Sequence, residues 1–448
     1  MRRTVSLMGS VVFGGSLIGA LQPVALRHEC PNLSPVTSAT ATDSAAWNLY
    51  DPDPNHLWNR LYRALYRRES PDGKEYGFDE LDPLLWARTK YLLVDPGYGS
   101  AIGVLDEFLT SHGELEVKDP LKRAILQRDL WAVFDWTTGT WLESPQKVNL
   151  QNELFKVIRR LALRSEEINR LPDPYQTAIG SRAFPASYDS NQRTQAFLPP
   201  DLFDPKGPWI RLSARGGDPI AIGHLSFFSG RSLFLIFMRL PGGRAATLDY
   251  LKSLDAVGKA WLPDANGPQG VMPNPQVPEF PPGTELALVR KAMLIDNAGN
   301  LRPSNIVEDI QIRVHRAIPA EIQPIHNIDR SDARAALDVF EFKFSRRKLF
   351  AGESGGLRAL QPGEQEFALF SSHDFDFEQR EPLVACASCH FRPGVHSMLS
   401  RGRLAGTERV EVVPAWDANY ELDVTKSWKA RQYNWGLLQG LWRSVGAN

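Results

Sequence analysis

Seven prolines fall within twenty residues of this chain, at positions 263, 268, 273, 275, 278, 281 and 282. Each fixes φ and removes a backbone donor, so neither a regular helix nor a central strand fits there. The stretch predicts a long loop or an inter-domain connection. It also lies within a change of character along the chain.

Upstream, from about 55 to 170, the pattern is helical. Leu57, Trp58, Leu61 and Leu65 recur at three- and four-residue steps, with Arg60, Arg63 and Arg67 on other faces. Similar periodicity runs through 101–109, 121–134 and 150–168. Asp119-Pro120 is a helix start, since proline suits the first helical position.

After about Leu171 strand patterns take over. Trp209–Leu212 and Ile220–Leu225 read as strands, and Phe227–Leu240 as a hairpin or buried strand. Thr284–Ile295 reads as a strand, 296–300 as a turn, and Ile310, Ile312 and Val314 as a returning strand. Phe340, Phe342 and Phe344 alternate again. Trp428, Trp435 and Trp442 are spaced by sevens, which predicts one helix face packed on the core.

Lys and Arg total 51 against 52 Asp and Glu, a net charge of -1. No positive excess follows a phosphate backbone, so nucleic acid is not an expected partner. At 43% hydrophobic residues the chain is no polytopic membrane protein. Met-Arg-Arg followed by an apolar, Gly-interrupted run to about Leu21 predicts an export signal or a single N-terminal anchor over 1–25. The expected location is periplasmic, or membrane-anchored facing the periplasm.

Three cysteines make no disulfide scaffold, and two of them stand in Cys386-Ala387-Ser388-Cys389-His390. This is C-x-x-C-H, the covalent attachment signature of haem c. Two intervening residues let both thiols reach vinyl groups on neighbouring pyrroles, and the following imidazole then lies beneath the iron. Over these five residues the sequence resembles the c-type cytochromes. The resemblance implies one covalent haem c on Cys386 and Cys389, His390 as axial iron ligand, and a redox partner protein. A small-molecule substrate is compatible with it.

Met398 is the only thioether after the motif and is the candidate for the second axial position, with His396, His373, Met293, Met272 and Met238 as others. Arg392, Arg401 and Arg403 are candidates for pairing with haem propionates, and equally for surface positions. Asp374, Asp376 and Glu378 alternate in what reads as a solvated acidic edge strand.

Rival readings use the same cysteines differently. A thioredoxin-type pair needs a helix starting at the first cysteine, and Pro393-Gly394 ends one almost at once. A zinc site has no second C-x-x-C to complete it. A structural disulfide is the third.

The sequence therefore predicts an α+β chain in four regions. These are the signal or anchor over 1–25, a helical region over 47–170, a mixed, mostly antiparallel sheet region over 171–364, and a haem c-binding segment over 365–448. The expected function is electron transfer by an exported mono-haem protein. The alternatives are a haem enzyme with an open iron position and a zinc- or disulfide-stapled binding module. The motif does not say what the roughly 330 residues before it do, enough for two further domains.

Overall fold

The computed structural model describes residues 48–69, 75–76, 79, 90–139, 142–264, 271–318, 336–364, 366–370, 377–381, 383, 394–399, 412–415 and 417–446. The signal segment, Cys30 and the acidic positions 374 and 376 lie outside the described residues.

Among the described residues, six α-helices precede the first long strand: α1 (Leu57–Tyr66), α2 (Gly97–Thr110), α3 (Pro120–Thr137), α4 (Lys147–Leu161), α5 (Ser165–Asn169) and α6 (Pro174–Gly180). α3 starts where the sequence places it. The Asp119 carboxylate accepts the Leu121 N–H at 2.8 Å, and Pro120 takes the first position, where no donor is needed. α3 is buried on nearly all sides from Ala124 to Phe134, so it is the central helix of this layer.

Two minor strands, β1 (Arg68–Glu69) and β2 (Glu75–Tyr76), pair with each other. The main sheet follows, built from β3 (Ile210–Ala214), β4 (Ser232–Arg239), β7 (Thr284–Ile295), β8 (Leu301–His315), β9 (Leu337–Phe344), β10 (Leu357–Ala359) and β13 (Val412–Pro414). Its order is β10-β9-β8-β7-β4-β3-β13, and every pairing is antiparallel. Two small hairpins complete the strands, β5 (Trp261–Pro263) with β6 (Val271–Pro273), and β11 (Glu366–Phe370) with β12 (Phe377–Arg380). The chain is therefore α+β, with the helices mainly N-terminal and the antiparallel sheet in the middle.

Register fixes what each sheet face does. Leu235, Val289, Ile310 and Phe342 stand opposite one another in one row, and Phe237, Ala287, Ile312 and Phe340 in the next. All belong to the main apolar core shared with the helices. The other face carries Ile236, Leu288, Gln311 and Glu341 in one row, and Met238, Leu286, Arg313 and Val339 in another. This face is apolar on β4 and β7 and turns polar on β8 and β9. Its apolar half is covered by α8 (Gly243–Ala256) and the β5–β6 hairpin, through Leu251, Leu254 and Trp261.

Three local expectations are corrected. Residues 220–225 form no strand but enter helix α7 (Ile222–Phe227). Both edges of β3 are already taken, one by β4 and one by β13, so no ladder is open to the segment. The chain then reverses at Ser229 and Gly230, both with positive φ, and enters β4, so the buried-strand reading of Phe227–Leu240 holds from Ser232. The proline stretch contains the short β5–β6 hairpin. Finally, the three tryptophans do not share one helix. After α9 (Arg346–Phe350), the C-terminal part forms α10 (Tyr420–Ala430) and α11 (Tyr433–Gly446), broken at Arg431–Gln432. Trp428 lies on α10 against Gly230, whereas Trp435 and Trp442 on α11 pack on Trp131 and Phe155.

Candidate functional site

Cys386, Cys389 and His390 lie outside the described residues, as do His373, Arg392, Arg401 and Arg403. The chain is described again from Gly394, four residues after His390, through Leu399. That short segment is where the structure bears on the motif.

The segment is a single 3-10 turn, Val395–Ser397, preceded by Gly394 at φ 98° and ψ -177°. Only glycine adopts such a backbone without strain. Side chains from three separate parts of the fold fasten it. The Gly394 N–H donates to His315 Nδ1 at 3.1 Å, from the end of β8. The Val395 N–H donates to Glu279 Oε1, from the proline stretch just before β7. The Trp261 indole N–H of β5 donates to the Leu399 carbonyl at 2.7 Å. Ser397 Oγ donates to the Gly394 carbonyl at 2.8 Å and lies 3.5 Å from an Arg313 guanidinium nitrogen. Val395 and Leu399 complete the anchoring by entering the apolar core on this face.

The electrostatics follow from these contacts. The Gly394 N–H points at His315 Nδ1, so that ring nitrogen is the acceptor in this contact. Phe280 packs edge-on against this ring at 4.8 Å and fixes its plane. Burial pushes the Glu279 carboxyl up to about 7, opposed by the N–H groups of Val395 and Phe280. Glu279 as a whole is exposed, but its Oε1 is turned inward onto those two donors. Burial, reinforced by the positive field of Arg313 and Arg290, lowers His224 of α7 to about 4.

Arg313 and His315 are two apart on β8, so both face the segment. The same face of β8 carries Asp309 and Gln311, with Lys343 and Glu341 directly opposite on β9. Charged groups here are buried, Asp309 and Glu341 among them. The described exit of the motif thus rests beside the polar part of a sheet face.

The axial candidates are placed as follows. Met398 is partly buried and packs on the apolar cluster of this face. His396 is buried, with Nε2 3.3 Å from the Ala260 carbonyl and its ring 5.1 Å from that of Trp261. Met238 and Met293 are fully buried core residues, whereas Met272 is 42% exposed. Among the described residues no three His, Cys, Asp or Glu side chains gather as a metal site, and no helix is long and apolar enough to cross a membrane. The donor set that fits haem c is the motif itself, two thiols three positions apart followed by an imidazole.

A second concentration of charge lies in the core between α3, the sheet and the C-terminal helices. The Asp135 carboxylate receives Arg231 at 2.8 Å and Lys429 at 2.9 Å, and Arg128 pairs with Glu308 at 3.0 Å. Burial lowers Lys429 to about 8, with Asp135 opposing the shift. This network is closed to solvent and joins elements rather than opening to a ligand.

Glu279, His315, Trp261 and Arg313 were not singled out by the sequence. None sits in a motif. His315 and Glu279 are 79 and 116 residues from their partners, beyond the reach of any local pattern. The chain matches no protein-family model, no curated protein and no solved structure.

Proposed function

We propose that the protein is an exported c-type haem protein that transfers single electrons to or from a redox partner. The observation that carries this reading is the pentapeptide Cys386-Ala387-Ser388-Cys389-His390. Each cysteine thiol adds across a haem vinyl group, sulfur to one carbon and hydrogen to the other, so attachment consumes no oxidant. His390 provides the proximal imidazole. Haem, when bound, supplies a one-electron iron couple whose potential is set by the axial ligands, nearby hydrogen bonds and burial. The protein's own contribution is to anchor the segment beyond the motif on a rigid sheet, through side chains of β5, β8 and the proline stretch. The N-terminal charge and apolar run support export, which covalent haem attachment requires. Met398 is the candidate for the distal position.

The test is a denaturing gel of protein expressed with a haem c maturation system and stained for haem. Thioether-linked haem stays with the chain, and Cys386→Ala combined with Cys389→Ala removes the stain. An unstained full-length band at full yield would overturn the reading and pass the motif to zinc or a disulfide. N-terminal sequencing of exported material checks the signal, and an intact Met1 on soluble cytoplasmic protein counts against export.

A second reading is a haem enzyme with an iron position open to peroxide or another small substrate. It is favoured by His396, whose ring is already committed to Ala260 and Trp261. The visible spectrum separates the two. A sharp low-spin reduced spectrum supports electron transfer, and a high-spin spectrum that shifts with cyanide, peroxide or carbon monoxide supports the enzyme.

A further inference from the structure

Two side chains far apart in sequence capture two consecutive backbone N–H groups immediately beyond the haem-attachment motif. Glu279 takes the N–H of Val395, and His315 takes that of Gly394. We infer that Glu279 and His315 are positioning residues for the chain that leaves the haem-attachment motif, acting as a clamp on Gly394 and Val395. The inference rests on the haem reading above.

The geometry makes this clamp specific. His315 is fully buried, and its acceptor nitrogen is aimed by the Phe280 ring and by the pairing of His315 with Thr284 on β7. Gly394 is required for the approach. A Cβ at this position would lie 2.5 Å from Glu279 Oε2, and φ is already positive. The two acceptors therefore take consecutive N–H groups, those of Gly394 and Val395. Burial works against the Glu279 carboxylate, and the two N–H groups are what offset it.

Reach turns the clamp into a positional constraint. Gly394 is four Cα–Cα steps from His390. A fully extended chain of that length spans at most about 14 Å. With Gly394 fixed to the sheet, the His390 backbone cannot leave that radius. Loss of the clamp lets the motif sample more arrangements, which lowers the fraction competent for attachment and broadens the ligand geometry at iron.

The experiment uses the full-length protein, produced with and without the haem c maturation system. Glu279→Ala removes the acceptor, whereas Glu279→Gln keeps an acceptor oxygen and removes the charge. His315→Asn keeps an acceptor near the position of Nδ1, and is paired with His315→Ala. Two quantities are read: amide exchange in the peptide containing Gly394 and Val395, and covalent haem per chain. The expected result for Glu279→Ala is faster exchange in that peptide alone, with several-fold lower haem loading in a chain that still folds cooperatively. Glu279→Gln should restore both. The clamp is overturned if Glu279→Ala leaves exchange and loading at wild-type levels, or if Glu279→Gln is as impaired as Glu279→Ala. Because His315→Ala can fail by unfolding, His315→Asn carries that half of the test. Its failure to retain exchange protection in a folded protein counts against His315. A wild-type chain that takes up no haem overturns the haem reading instead, and the exchange measurement on that same chain still reports whether the clamp exists.

Discussion

The ammonium of Lys429 lies 2.9 Å from the Asp135 carboxylate, and neither side chain touches solvent. The pair ties α10 to α3, with Arg231 of the turn before β4 sharing the same carboxylate oxygen at 2.8 Å. Removing one partner of a buried pair costs far more than its net contribution, because the remaining charge is left uncompensated. The two substitutions are therefore unequal. Asp135→Asn takes the shared carboxylate charge from both Arg231 and Lys429 and should destabilise by about 3–5 kcal/mol. Lys429→Met leaves Asp135 still paired with Arg231, and strips a donor from Ser229 and Asn434, about 1–3 kcal/mol. Urea denaturation of both variants checks the order, and equal losses would show that Arg231 does not share the carboxylate.

Stability should carry two opposed pH dependences. Burial raises the Glu285 carboxyl to about 6, with Arg239 opposing it and Asp201 adding to it. A raised folded value means that this group's stabilising contribution is complete below its unfolded value and is lost as pH rises through about 6. Glu279, raised to about 7, acts in the same direction over a slightly wider window. Glu285→Gln should therefore gain on wild type by about 2 kcal/mol between pH 4 and pH 8. His224 has the opposite sign. Its folded value is lowered, so its contribution is present above the unfolded value and is lost as pH falls towards about 4. Melting temperatures of His224→Gln should thus rise relative to wild type on acidification. The same slope in both variants would defeat the assignment.

Gly394→Ala is the backbone counterpart of the clamp. The φ of 98° with ψ of -177° is a region open in practice to glycine, and occupying it with another residue costs about 1–3 kcal/mol. The added methyl also meets the Glu279 carboxylate. The expected outcome is a loss in that range by chemical denaturation, together with reduced haem loading. Gly436→Ala, inside α11 with nothing within 4 Å of its Cβ position, is the control: it should leave haem loading unchanged and raise stability by up to about 1 kcal/mol, the opposite sign.

Much of the fold was legible because its signals are local. The β7 limits, Thr284–Ile295, match the sequence reading, and the Asp119-Pro120 helix start is the observed one. The failures came where tertiary partners decide. The apolar residues at 220–225 suit a strand or a short helix equally, and the occupied edges of β3 chose the helix. The sevenfold tryptophan spacing was read as one face, but the break at Arg431–Gln432 sets Trp428 on a different helix. At the site, the pentapeptide was legible as a haem-attachment signature because its five residues stand together in sequence. Glu279 and His315 were not, since a lone glutamate and a lone histidine acquire meaning only when β7 and β8 bring them to Gly394.

If the chain carries haem c as proposed, a contrast among three substitutions decides the distal ligand. Met398 is the only thioether after the motif, and it stands on the fastened segment at the end of the turn that follows Gly394. A thioether ligand raises the reduction potential relative to a second imidazole, because soft sulfur favours ferrous iron. It also gives a weak near-infrared charge-transfer band in the ferric protein. Met398→Ala should then abolish that band and lower the potential, while the haem stain persists, since the thioethers do not depend on it. His390→Ala should impair attachment and spectrum together. His396→Gln tests the other assignment: its ring is held by Ala260 and Trp261, so the substitution should cost stability and leave the ferric spectrum as it was. A ferric spectrum indifferent to both Met398→Ala and His396→Gln would remove both residues from the iron. In that case binding of cyanide to the untreated ferric protein becomes the deciding measurement, because rapid uptake requires a coordination position that no side chain holds.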